Sequence, residues 1–353
     1  FIPVTLEAAT IPGLILCAVI VQTTSEFIYY WIHRCSHRYM IAWRTHATHH
    51  HITKMSAMRS DRTHPTEFLA LSISTPVILA LFGATSEVVA VSAALGFCNG
   101  WITHSNLPMR SGVWNWIFTS PEHHQLHHSQ NFDDSNTNFG CGVIIWDRIF
   151  GTFQEELENE PPVYGTLKPA LSWNPIWINF QHLYLLARDA YHTQKWQDKL
   201  SIWFMPTGWR PKDVSILFPI VSREINTRKK YKPTYNFNWK AIAVTHFSAI
   251  TIMLFFLLSK FSDLSFGIQI NFGLLIFFSI FGFTALMDYH SWAPIFEIFR
   301  GIVSLLFIML FQSQFSQIIS PFILSFLVCY FLFTILVGIW SRIKEPNRKL
   351  VLP

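Results

Sequence analysis

The chain has 353 residues, 51% hydrophobic, 16% aromatic and 13% charged, with a formal net charge of +5. The charged share is about half that of an ordinary soluble domain, which excludes a disordered chain, a collagen-like repeat and a small disulfide scaffold and points to a membrane protein. The charge excess is too small to indicate a nucleic-acid partner, and Cys17, Cys35, Cys98, Cys141 and Cys329 lack the paired spacing of a disulfide framework or a thiolate zinc site.

The first residue is Phe, as expected of a trimmed or processed N-terminus. Residues 11–31 are long enough to span a bilayer but contain Glu26, and an acid at that depth seeks a partner or a function. Residues 68–103 read as a hairpin of two short membrane helices turning near Gly83. Residues 105–240 are mixed and carry the basic run Arg223–Lys232. Apolar stretches follow at 241–259, 266–287, 293–311 and 318–340. A helix of 19 residues rises about 28 Å, roughly the hydrocarbon thickness. In the third stretch Arg300 needs a partner, and Glu297 at i−3 is the nearest candidate. The basic run and the basic tail Arg342, Lys344, Arg348 and Lys349 flank four spans and so share one side, which the positive-inside rule makes cytoplasmic. The same count puts residues 33–64 and His104 on that face. The sequence thus predicts an all-α polytopic membrane protein with a cytoplasmic helical cap. Its divisions are a core at 1–160 with about three spans, a cap extension at 161–240 and a four-span bundle at 241–353.

Twelve of the sixteen histidines fall within residues 33–128. His33 and His37 are spaced i, i+4 and share a helix face. His46, His49 and His50 form an HxxHH box, and His124, His127 and His128 repeat it, each expected to converge on one side. His104 stands at the end of the hairpin. A tetrahedral zinc needs four ligands; nine imidazoles suit two adjacent metals with room for a small exogenous ligand. Imidazole accepts iron, zinc, copper or nickel, so donor type does not select the metal. His51 and His123 adjoin the boxes but break their spacing, and His182, His192, His246 and His290 stand alone. His64, His123, Glu26, Glu67, Asp133 and Asp147 are candidates for an extra ligand or for orienting the ligand rings; a surface turn is the competing reading for the aspartates, Asp134 included.

These motifs resemble the fatty acid hydroxylase/sterol desaturase superfamily of membrane di-iron oxygenases. Beyond the boxes, Glu26–His37 (EFIYYWIHRCSH), His104-Ser-Asn, the block from Ser120 to His128 and Trp146-Asp-Arg-Ile-Phe-Gly-Thr152 are similar to family signatures, over residues 24–154. Val163-Tyr-Gly165, Asn174-Pro, Asn179-Phe-Gln-His182, Gly208-Trp-Arg-Pro211 and the extra C-terminal spans resemble the alkylglycerol monooxygenase branch. That branch carries Glu directly after the second His of the first box, linked to tetrahydrobiopterin use; here the position is Arg38. The segment His64-Pro-Thr-Glu67 is closer to general sterol-desaturase-like members.

The resemblance implies two iron ions, replaceable by zinc, with O2 and an external electron donor, either a reductase or reduced pterin such as tetrahydrobiopterin. It implies a membrane lipid as substrate (sterol, fatty acyl or alkylglycerol ether lipid) and hydroxylation or desaturation as the reaction. The location would be the inner membrane of a bacterium or the endoplasmic reticulum of a eukaryote. Two other classes compete. A metal transporter or sensor would place ionisable ligands inside its spans, whereas these boxes flank them. A zinc-dependent membrane hydrolase would want few ligands and an acidic base as in HExxH, which is absent.

Overall fold

A computed structural model describes residues 11–59, 62–81, 83–84, 86–109, 112–130, 136–155, 161–220, 231, 233–312 and 319–344. Asp133, Asp134, nearly all of the basic run Arg223–Lys232, and Arg348 and Lys349 lie outside them. Among the described residues the regular elements are all helices, with isolated bridges but no strand. They form two compact units: the described parts of Phe1–Ala170 with Asn179–Arg228, and of Leu171–Ile178 with Lys229–Pro353.

In the first unit α1 (Ile11–Arg38) has 28 residues. It rises about 42 Å, more than a hydrocarbon core of about 30 Å, so it is long enough to carry His33 and His37 past one. Tyr39 is extended (φ −105°, ψ 134°) and separates α1 from α2 (Met40–His50). The break is held by residues 203–207: Met40 N–H donates to Met205 O at 2.9 Å, Ile41 N–H to Trp203 O at 2.9 Å, and Thr207 hydroxyl to His37 O at 2.6 Å. These bonds satisfy backbone groups that the end of one helix and the start of the next leave open.

The hairpin is α3 (Pro65–Leu81) and α4 (Ser86–Thr103). Pro65 suits a first helical position, and the preceding His64 accepts the Thr66 N–H on its ring Nδ1 at 3.2 Å. The turn falls at Gly83, whose φ of 70° is a conformation that glycine adopts without a Cβ clash. The short helices α5 (Pro121–His127) and α6 (Ile145–Ile149) follow, then α7 (Pro175–His192), of which residues 175–178 belong to the second unit, and the short α8 (Trp196–Ser201) and α9 (Lys212–Leu217). Met40, Leu186, Ala190 and Ile202 form a buried apolar cluster that joins α2, α7 and the end of α8.

The second unit is built on α10 (Phe237–Ser259), α11 (Phe266–Met287), α12 (Ala293–Leu310) and α13 (Pro321–Lys344). All four are long and apolar enough to cross a membrane. With them the chain is a membrane protein. The expected ends shift by a few residues: α10 starts at Phe237 rather than 241, and α13 runs to Lys344 rather than 340. Large apolar side chains such as Phe247, Phe255, Leu306 and Leu336 face outward, as lipid contact requires. Gly301 on α12 lies against Thr334 and Ile335, and Gly338 on α13 against Ile298 and Pro294. Such small residues let helices approach in a medium that supplies no hydrophobic drive. Arg300 finds its partner: Nε and Nη2 donate to the two oxygens of Glu297, and Nη1 donates to Ser279 at 2.7 Å.

Candidate metal centre

The eight box histidines and His104 divide into two buried groups. His33, His37, His46, His50 and His127 bring one ring nitrogen each within 4.8 Å of one another, and so do His49, His104, His124 and His128. The groups adjoin, with His50 and His128 rings 4.2 Å apart between centroids. The expectation that each HxxHH box converges on one point is corrected. His46 and His50 serve the first group and His49 the second, whereas His124 and His128 serve the second and His127 the first. Each residue of a helix turns by about 100°, so i and i+4 stay about 40° apart while i+3 departs by about 100° from i+4. The spacing itself contained this division.

The outward nitrogens fix the rings. His33 Nδ1 lies 2.6 Å from Phe139 O, His127 Nδ1 2.8 Å from Thr137 O, His104 Nδ1 2.8 Å from Gly100 O and His46 Nδ1 2.6 Å from Glu67. Carbonyl and carboxylate oxygens only accept, so each Nδ1 carries the proton and each Nε2 of the neutral ring keeps a lone pair. Yet His33 Nε2 and His46 Nε2 stand 3.1 Å apart. Two lone pairs facing each other at that distance repel, and a cation between them removes the conflict. His127 Nε2 and His37 Nε2 are buried with no hydrogen-bond partner. Metal–imidazole bonds are about 2.0–2.1 Å, which puts adjacent octahedral donors about 3.0 Å apart. The observed Nε2–Nε2 distances of 2.9–3.1 Å among His104, His124, His49 and His128 match that edge. These residues fit a pair of metal ions.

Burial and the neighbouring rings hold His33, His37, His49, His50, His124 and His128 well below the usual histidine range. Burial takes His127 down to about 3. The rings are therefore neutral donors at physiological pH, the form that binds metal.

A loop braces the first group. Asp147 accepts the Phe139 N–H, the Gly140 N–H and the Thr152 hydroxyl, each at 2.7 Å. Phe139 then offers its carbonyl to His33. Burial pushes Asp147 up to about 6 against these donors. Glu26 accepts the Gly142 N–H at 2.8 Å and Gln22 at 3.1 Å, and so ties the same loop to α1. A Cβ at Gly140 would meet Val143 O and Asp147; one at Gly142 would meet Glu26. Glu26, Glu67 and Asp147 thus lie behind the rings and outside both groups.

His64 and His123 lie outside both groups as well. His64 is fully buried, with Thr66 at its Nδ1. His123 completes a capping box with Ser120 at the start of α5, and burial lowers it to about 4. Sequence reasoning missed the pairing of His51 with His182, whose Nε2 atoms meet in a short hydrogen bond. The two residues are 131 positions apart, and no local pattern links them.

Residues 17–152 match the family model described as Fatty acid hydroxylase. That stretch is similar to this family. All nine clustered histidines lie inside the matched stretch, whose last residue, Thr152, donates to Asp147. Among curated proteins, the human alkylglycerol monooxygenase is 29% identical over 90% of this chain and 69% of its own length. The alkylglycerol monooxygenase of Xenopus tropicalis is 30% identical over 59% of this chain and 46% of its own length. An ornithine lipid hydroxylase of Rhizobium tropici is 35% identical over 36% of this chain and 39% of its own length. The chain therefore spans less than half of the last two relatives. No solved structure matched. The relatives' names share lipid chemistry and oxidation.

Proposed function

We propose that this chain is a membrane-bound di-iron oxygenase that hydroxylates a lipid with O2 and two electrons. The observation that carries the reading is the set of nine buried imidazoles in two adjoining groups, with outward nitrogens fixed and inward lone pairs opposed, inside the stretch similar to the fatty acid hydroxylase family. His33, His37, His46, His50 and His127 would hold one iron, and His49, His104, His124 and His128 the other. Bound iron supplies the activation of O2 that attack on an unactivated C–H bond requires and that no side chain provides.

The chain's own residues do the rest. Phe139 O, Thr137 O, Gly100 O and Glu67 orient four rings and keep their protons on Nδ1. Trp43 packs on His37 and His50, and Phe139 on His33, His37 and His127, so apolar surface shields the first group from water. The substrate is a membrane lipid of the sterol, fatty acyl or alkylglycerol ether class, and electrons come from a reductase or a reduced pterin. The membrane arrangement is three N-terminal passes through α1, α3 and α4 and four through α10–α13, with the histidine groups on the cytoplasmic face. Residues 1–160 would carry the chemistry, 161–240 extend the cap and 241–353 form the membrane bundle.

The test is purified protein in nanodiscs, analysed for metal and supplied with 18O2, a chemical reductant and a membrane lipid extract. Two irons per chain and one 18O atom in a lipid product are expected. A new double bond without label would identify a desaturase. Full activity with one zinc and no iron would overturn the reading.

A further inference from the structure

Away from both ring groups, four cations of the first unit gather about one carboxylate. Asp189 on α7 accepts Arg188 Nε and Nη2 on one oxygen at 3.2 and 2.8 Å, and Arg210 Nε on the other at 2.7 Å. Arg44 on α2 stands within electrostatic reach of Asp189 and Arg210, and Lys168 within reach of Arg210, Arg188, Asp189 and Arg44. Arg188 is matched by its carboxylate. Arg44, Arg210 and Lys168 share what Asp189 has left.

Two of these guanidinium groups are also short of acceptors. The Arg210 side chain is only 8% exposed. Its Nη1 donates to Phe218 O at 3.0 Å, and its Nη2 is buried with no partner. Arg44 Nη1 donates to His182 Nδ1 at 3.5 Å, and its Nε is likewise buried and unpartnered. A buried donor left without an acceptor costs about 1–3 kcal/mol, more when charged. Arginine cannot escape by losing its proton near neutral pH, and a water would satisfy the donors without supplying charge. The neighbouring histidines add no positive charge. Because Arg44 only donates, His182 keeps its proton on Nε2 and gives it to the His51 Nε2 lone pair.

We propose that Arg44, Lys168 and Arg210 form a binding site for a phosphate-class dianion. Phosphate brings two negative charges and several acceptor oxygens. Arginine forks and a lysine point charge are the usual way to hold it. A carboxylate would bring one charge only. Lys168 is less buried than Arg44, and the Arg210 side chain is almost enclosed. Arg44 lies two residues before His46, so an occupant sits beside the helix that carries three clustered rings. The phosphate could belong to a phosphomonoester lipid headgroup, as in phosphatidic acid, or to a soluble molecule. Binding requires no metal, so the proposal does not rest on the oxygenase reading, and its test leaves that reading untouched.

The experiment uses the full chain in phosphatidylcholine nanodiscs without added metal. Inorganic phosphate is titrated calorimetrically at constant ionic strength, and a second set of nanodiscs contains phosphatidic acid. Saturable binding of one phosphate per chain, weakened tenfold or more in Lys168→Gln and Arg210→Gln, supports a soluble phosphate ligand. A rise in melting temperature with phosphatidic acid alone, lost in Lys168→Gln, supports a headgroup ligand. Lys168 is open enough to change without disturbing the fold, and wild-type circular dichroism of that variant secures the comparison. If neither probe acts on the folded wild type, or if Lys168→Gln and Arg210→Gln respond as wild type does, the site is overturned.

Discussion

His127 isolates ring chemistry from scaffolding, because its outward bond is a single one to the Thr137 carbonyl. His127→Ala should abolish lipid oxidation and lower bound metal while the helical signal persists; His290→Ala, an exposed ring stacked on Trp292, should change neither. Wild-type turnover in His127→Ala would remove the third box from the metal set. Asp147 acts one step further back. Asp147→Asn keeps the shape but turns an amide N–H₂ toward donors, and should cost about 1–3 kcal/mol and loosen His33, read as a lower melting temperature with less retained metal. Cys141 gives a pH signature. Burial takes its thiol up to about 12, so the reactive thiolate forms only as pH approaches that value. Its alkylation should stay negligible at pH 8–9 and accelerate above 11, followed by mass spectrometry. At this scale the sequence announced eight rings through their spacing and His104 through its place at the end of the hairpin, and it offered Glu26, Glu67 and Asp147 only as nearby acids. Apart from Gln22 at i−4 of Glu26 and Thr152 at i+5 of Asp147, their partners are backbone groups or rings 7 to 116 positions distant, and no spacing rule reaches those.

Helix α5 shows how a short element holds three rings. Seven residues are too few to persist alone, and the Ser120 capping box anchors the start. Ser120→Ala should cost about 0.5–2 kcal/mol. Since His124, His127 and His128 travel together on this turn, metal affinity should fall with stability, which metal-buffer titration would show. Helices α11 and α12 make a second case. Glu297 and Arg300 are buried, and Gly282 leaves the space that Glu297 fills. Removing one charge strands the other, at a cost of about 3–5 kcal/mol, whereas removing both is far milder. Glu297→Leu with Arg300→Leu should therefore melt closer to wild type than either single variant. This pair and the turn at Gly83 were legible because each is local: one depends on i−3 spacing and the other on a glycine between two apolar runs. The break at Tyr39 was not, because what holds it comes from residues 203–207.

For the whole molecule, the boundary between chemistry and membrane bundle is not a cut in the chain. Residues 171–178 belong with the second unit, where Asp288 accepts Ser172, Trp173, Asn174 and Tyr231. Composition could not show this, since the segment resembles its neighbours and its anchor lies 114 positions away. A chain ending at Lys240 would leave the start of α7 without that anchor and should be more sensitive to proteolysis near residues 171–178 than the full chain. The exchange of rings between the two boxes has a further consequence. Helix α2 gives two rings to one group and one to the other, and α5 does the reverse, so neither group can assemble while either helix is out of place. Filling one group organises both helices and thereby prepares the other. Uptake of metal should then be sigmoidal: at half the saturating amount, native mass spectrometry should find empty and doubly filled molecules, with singly filled ones scarce.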